Sequence, residues 1–306
     1  MMNNARLSVG LEGLALTDRS YQLAKTYALD RHQGKALNSE IAAGESSPIV
    51  DHVDVRRMLL TMRSNSEAMR CLMYANAAAI DFSKVVVDDE EKKSWDSLAA
   101  LLTPVSKGWG TDVGVEMTSL GIQVHGGMGY VEETGAAQHW RDIRIAPIYE
   151  GTNGIQAADL VFRKLPMSGG AVVKEFVKEM TALADELIED ETLQQIGLNL
   201  RTGIAQFVDG AQWLGERISN SPNDAAAGSA PFLRLTGIVF GGYYLAKSAQ
   251  VAQKKNDAGT KDVAFCVDKI TVAEFYAEQI LPTATGLLPL VKKDSKLFYA
   301  IASDRL

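Results

Sequence analysis

The chain has 306 residues, 46% hydrophobic and 23% charged, with 31 basic against 38 acidic residues and a net charge of −7. That length suits two globular domains with substantial cores, and an acidic balance without a basic cluster argues against a nucleic-acid binder. The two cysteines, Cys71 and Cys266, show neither CxxC nor zinc spacing, so they read as reduced, helix-buried thiols of a cytoplasmic protein.

Prolines number only 8, and long segments hold none, which favours helix. Residues 5–29 form the first apolar-rich helical segment, with Gly34 as a stop signal. The opening MMNNARLSVGLEG has no apolar core of a secretory signal. Residues 37–52, rich in Gly, Ser and Pro, read as a surface loop. Asp54 is placed to cap a second helix over about 54–87, where Met62, Met69, Met73 and Ile80 share one face and pack into a core. VDDEEKKSW (87–95) reads as a charged turn, and a third helix follows over about 90–121, interrupted or kinked at Pro104.

Residues 121–156 differ from the rest. GIQVHGGMGYVEETG is crowded with glycine, and AQHWRDIRIAPIYEGTNGIQ mixes charges of both signs with aromatics. A helix resumes at about 153–165. RKLPMSGG (163–170) marks a domain boundary, with domains over 1–165 and 166–306. Beyond it, Val173, Phe176, Val177, Met180, Ala184 and Leu187 keep three-four spacing. Further helices are expected at about 190–218, 232–253 and 261–280. SNSPNDAAAGSAP (219–231) would be the long loop between two halves of a bundle. The longest apolar run, LTGIVFGGYYLA (235–246), is too short to span a membrane and reads as a buried helix. The fold class is all-α.

The candidate chemistry is sparse. HGGMGY fits neither GxGxxG nor the Walker pattern; its glycines admit either a tight interhelical turn or close approach of backbone N–H groups to a ligand. His125 and His139 lack the spacing of metal ligands, so no metal site is expected. No GxSxG elbow supports a serine nucleophile. RDIR (141–144) reads chiefly as internal ion pairing. Arg6 and Arg31, at the ends of an apolar helix, are either solvated or hold an anionic group. Glu150 has two readings. The pattern favours a solvent-exposed glutamate at a helix start. Set behind Ile145, Ala146, Pro147, Ile148 and Tyr149, it could instead have a raised pKa and act as a general base.

Two stretches carry a resemblance. QVHGGMGYVEETGAAQHWRDIRIAPIYEGTNGIQ resembles the C-terminal signature of the acyl-CoA dehydrogenases. ARLSVGLEGLALTDRSYQLAKTYALDRHQG resembles the helix that opens that family's C-terminal domain. The resemblance covers residues 1 to about 165 and implies a four-helix-bundle-type domain. The remainder looks like the extra helical domain of a larger-subunit branch.

The implied activity is FAD-dependent oxidation of acyl-CoA to trans-2-enoyl-CoA, with electron-transfer flavoprotein as acceptor and a homodimer or homotetramer as assembly. Glu150 matches the family's base in its YEG motif, a role worth about 10²–10⁴ in rate. Gly151 and Arg6 would lie on the substrate side and Thr152 near the flavin. Arg31 would contact the FAD of a neighbouring subunit, as would the QxxGG turn of Gln123, Gly126 and Gly127. Some branches put the base one position before the arginine; here that is Ala5, which strengthens Glu150. The family's N-terminal helical and β-barrel domains have no counterpart in this sequence. The expectation is therefore part of a longer enzyme, or one half of a split enzyme whose partner chain carries them. A non-catalytic helical assembly unit is the alternative.

Overall fold

The computed structural model describes residues 2–37 and 44–306. Among them are eleven α-helices and no strand beyond one isolated bridge between His32 and Pro48. Helix α1 spans Met2–Asp30, α2 Val53–Val85 and α3 Asp89–His125. Short helices α4 (Gly127–Tyr130), α5 (Ala136–Ile143) and α6 (Asn153–Asp159) follow. The second half contains α7 (Ala171–Ile188), α8 (Gln194–Asn220), α9 (Pro222–Asp257), α10 (Val263–Phe275) and α11 (Thr283–Val291).

Helices α1 and α3 run in parallel. A Cβ on Gly10 would lie 2.6 Å from the Ser106 carbonyl oxygen, and one on Gly13 would lie 2.6 Å from that of Gly110. Farther along, Tyr27 meets the His125 ring at 4.6 Å. Only glycine permits backbones this close. Helix α2 runs the other way: Asn76 Nδ2 donates to Ser106 Oγ at 3.0 Å, and Met62 reaches Gly121. Met62, Met69, Met73 and Ile80 are all buried in this seam, as their spacing predicts.

Several boundaries depart from the sequence expectations. The expected loop at 37–52 includes residues 38–43, which lie outside the described residues. Its later part zips onto the end of α1, with Gln33 N donating to Ser47 O and Ile49 N to Arg31 O. His52, not Asp54, is the N-cap of α2. The charged stretch 87–95 is not a turn. Asp88 caps α3, accepting from Glu91 N, and Asp89, Glu90 and Glu91 fill its first turn, where acids favour the helix dipole.

Nor does Pro104 interrupt α3. Every residue from Leu101 to Thr111 is buried, and packing on all sides offsets the ~3 kcal/mol that an interior proline costs a helix. The expected loop at 219–231 is absent too, because only Ser221 separates α8 from α9. Pro222 stands where proline suits a helix start. Gly228 lets α9 pass beneath the Val291 carbonyl, so that glycine serves packing and not a break.

The halves share one hydrophobic core running from Leu7 to Val291. Trp109 of α3 lodges against Gly237 and Gly241 of α9. The apolar run 235–246 is thus a buried helix segment, as its composition predicts. No helix among the described residues is long and apolar enough to cross a membrane.

Candidate active site

The lead-in to Glu150 is tightly wound. Ala146 N donates to Ile143 O, and Ile148 N and Tyr149 N both donate to Ile145 O. Ile143 and Ala146 bury against Val9 of α1, with Leu16, Val115 and Tyr149 packed around them. The Tyr149 hydroxyl donates to Glu12 Oε1 at 2.6 Å; burial first, then Glu12, pushes its pKa up to about 12. With Ile143, Ala146 and Tyr149 packed onto α1 and α3, the chain reverses through Glu150 (φ 55°) and Gly151 (φ 82°). A left-handed non-glycine residue costs about 1–2 kcal/mol. The carbonyls of both residues accept from Gln156 Nε2, at 3.4 and 3.1 Å.

Glu150 itself is exposed. The expected apolar setting for its carboxylate is not found, because Ile143 and Ala146 face inward while the turn lifts the acid outward. Thr152 is the N-cap of α6, its Oγ1 accepting from Ile155 N at 3.4 Å, which aims that helix at the turn.

Beneath the turn lie two charged groups. Arg6 is not solvated: its Nη1 pairs with Asp159 Oδ2 at 3.1 Å. Its Nη2 would lie 3.9 Å from a Cβ on Gly151, so Arg6 flanks the Glu150–Gly151 peptide. Asp159 is 6% exposed and also pairs with Arg163 at 3.1 Å and Lys164 at 3.9 Å. Burial lowers the Lys164 pKa, against the attraction of Asp159.

The second group was not anticipated from the sequence. Lys107 of α3 is fully buried, and its Nζ donates to Asn153 Oδ1 at 2.8 Å. Asn153 Nδ2 donates to Asp112 Oδ1 at 2.7 Å and to the Gly108 carbonyl at 3.0 Å. Burial pulls the Lys107 pKa down to about 8; Asp112 and Glu150 oppose that fall and Arg6 adds to it. Burial likewise raises the Asp112 carboxyl, against the hydrogen bond from Asn153. The available signal was a single charge within LAALLTPVSKGWGT, a helix apolar on every side.

Arg31, Gln123, Gly126 and Gly127 gather elsewhere. Because α1 and α3 are parallel and Tyr27 meets His125, the end of α1 lies beside the end of α3. Arg31, Gln123 and both glycines are exposed there, and no atom of the described residues lies within 4 Å of a Cβ built on either glycine. Among the described residues the Arg31 side chain has only a 3.4 Å hydrogen bond to Gln33. From Arg6 to Arg31 the helix rises about 37 Å, at 1.5 Å per residue. The structure therefore brings Glu150, Gly151, Thr152 and Arg6 together and sets the other four apart.

RDIR is not internally paired: Arg141 bonds Glu132 at 2.6 Å. Arg144 lines an open cleft of about 520 Å³ with Asp112, Val115, Glu116 and Arg234. A larger, apolar cavity of about 680 Å³ lies between α7 and α8, lined by Leu165, Val173, Val177 and Phe207; none of the expected site residues borders it. Cys266 is buried and Cys71 half-buried, both as free thiols. His125 is buried with Nδ1 at 2.7 Å from the Gly121 carbonyl oxygen. Among the described residues no three His, Cys, Asp or Glu side chains are grouped to hold a metal ion.

The family model for the acyl-CoA dehydrogenase C-terminal domain matches residues 1–165. A second, described as acetyl-CoA dehydrogenase C-terminal like, matches residues 176–302. The chain belongs to the acyl-CoA dehydrogenase family. It is 41% identical over 282 residues to the 3-methylmercaptopropionyl-CoA dehydrogenase of Ruegeria pomeroyi, covering 92% of this chain and 47% of that protein. In fold it is similar to Caenorhabditis elegans ACDH-11, solved in complex with C11-CoA. That match has a TM-score of 0.73 at 20% identity and covers 92% of this chain and 43% of that one. A Bacillus anthracis acyl-CoA dehydrogenase complexed with FAD matches with a TM-score of 0.66 at 18% identity, over 95% of this chain and 52% of that one. The chain thus spans about half the length of the relatives it matches.

Proposed function

We propose that this chain is the base-bearing, assembly-forming half of a flavin-dependent acyl-CoA dehydrogenase. Glu150 removes the α-proton of an acyl-CoA thioester. The observation that carries the reading is the Glu150–Gly151 turn, a strained reversal on the residues that match the family's base, with Arg6 at its flank. A bound FAD would accept the β-hydrogen as hydride. The work of this chain is to aim the carboxylate and hold the substrate side of the turn. The Glu150 backbone N–H would favour charge developing on the thioester oxygen, with Arg6 on the substrate side of the turn.

The residues at the far end fit the cofactor. Arg31 offers a planar fork suited to a pyrophosphate, and Gly126 and Gly127 leave backbone open beside Gln123. The ~37 Å helical span between the two groups is too long for one bound molecule to touch both with side chains of one copy. Two copies, in a homodimer or homotetramer, would let each supply flavin contacts to the other. The exposed position of Glu150 supports a site completed by the domains that make up the other half of the relatives, on the same chain or on a partner. Electron-transfer flavoprotein is the proposed electron acceptor, and 3-methylmercaptopropionyl-CoA is the acyl-CoA to try first. The alternative, a helical assembly unit without turnover, is favoured by one feature: Met128, Tyr130, Trp140, Ile145 and Ile148 all stand exposed.

The test joins this chain to the N-terminal half of the Ruegeria relative and records the visible spectrum with FAD. The expected result is a bound flavin that bleaches with the acyl-CoA under anaerobic conditions, and no bleaching with Glu150→Gln. Equal bleaching in both would remove Glu150 as the base.

A further inference from the structure

Helix α3 is buried without a break from Leu101 to Thr111, and in that run stands the only buried lysine among the described residues. An ammonium taken out of water lowers stability unless partners compensate. An apolar side chain of similar length would fill the same space without that loss. Among the described residues Lys107 makes one side-chain hydrogen bond, to Asn153 Oδ1 at 2.8 Å.

Asn153 is the first residue of α6 and follows Glu150 by three positions. Its amide is fixed at both ends, since a lysine only donates and an ionised aspartate only accepts. Oδ1 therefore faces Lys107, and Nδ2 faces Asp112 at 2.7 Å. The Asn153 backbone N–H in turn donates to the Pro147 carbonyl at 3.0 Å, which closes the turn across its base. One residue thus ties both legs of the Glu150 turn to α3.

We infer that Lys107 is a positioning residue: through Asn153 it pins the turn Pro147–Asn153 to α3, holds Glu150 in its left-handed conformation, and is kept although it weakens the fold. The catalytic meaning rests on Glu150 as proton acceptor; the pinning is a property of the free chain. A residue retained for packing alone would strengthen the fold, so the two roles predict opposite signs.

Hydrogen exchange read by mass spectrometry on the full chain separates them. For Lys107→Met at neutral pH, peptides covering 147–156 are expected to exchange at least tenfold faster, while the melting temperature stays level or rises. Asn153→Ala cuts that link together with the Asn153 bonds to Gly108, Thr111 and Asp112 and should speed the same peptides at least as much without Lys107 being touched. The double variant should be no faster than Asn153→Ala alone, since loss of that amide already removes the Lys107 link together with those to Gly108, Thr111 and Asp112. Unchanged exchange at 147–156 in both single variants would overturn the pinning. A fall in melting temperature with faster exchange throughout α3, or failure of Lys107→Met to fold, would show a packing lysine and overturn the proposal. Bleaching of the assembled Glu150→Gln enzyme would remove the base and leave these exchange results intact, so the two ideas fail separately.

Discussion

Lys107 gives the stability of this protein a distinct dependence on pH. Burial lowers its pKa from 10.5 to about 8, with Asp112 and Glu150 holding the proton on and Arg6 helping to drive it off. Below pH 8 the lysine is charged in both folded and unfolded chains, and the full penalty of the buried charge is present. Between pH 8 and 10.5 the unfolded chain binds more protons than the folded one, so stability rises with pH. A fall from 10.5 to about 8 corresponds to about 3 kcal/mol. Lys107→Met lacks that penalty at every pH. Its stability relative to wild type should therefore drop by about 3 kcal/mol as pH goes from 7 to 10.5. Urea unfolding of both proteins at half-unit steps over that range measures the difference, in which titrations common to both cancel. A flat difference would mean that Lys107 stays protonated in the fold, and a difference that grows with pH would refute the burial cause outright.

Two further outcomes follow from the packing and the turn. Gly237→Ala places a methyl group on the Trp109 ring and should cost about 3 kcal/mol or more by overpacking; a variant as stable as wild type in urea would show that Trp109 does not join the halves. Glu150→Gly removes the left-handed strain at φ 55° and should raise stability by up to about 1 kcal/mol, whereas Glu150→Gln should leave it unchanged; a lower melting temperature for the glycine variant would show that the side chain supports the fold.

The long helices were legible because their cause is local: few prolines, and apolar residues at helical spacing. The methionines of α2 show this, since Met62, Met69 and Met73 share a face in the sequence and are fully buried in the fold. The start of α9 was misread because Gly228, Ser229 and Pro231 are loop residues by local preference. Only the close passage of Gly228 beneath the end of α11 gives that glycine its purpose. The residues proposed for the site come from the motif, whereas the setting of Glu150 was not legible. Apolar residues before an acid say nothing of which way the turn throws it. Lys107 was overlooked for a related reason: a lysine in a helix reads as a solvated face until its neighbours are known to be buried on every side.

Departures from local preference occur in several places, as at the left-handed Ser168 and the interior Pro104, but several of them meet at one turn. A glutamate in a left-handed conformation, the only buried lysine among the described residues, a buried aspartate shared by three cations and a buried Gln156 whose Oε1 lacks a partner all surround one turn. Strain of this kind persists only where the surrounding structure over-determines it, and here that structure is α3 below and α1 at the side. Four such features around one carboxylate support the proposal that the chemistry sits there. If stability alone had shaped this half, a glycine at 150 and a methionine at 107 would serve better. Their absence is a physical argument, separate from any likeness to relatives, in favour of the proposal that Glu150 carries the chemistry.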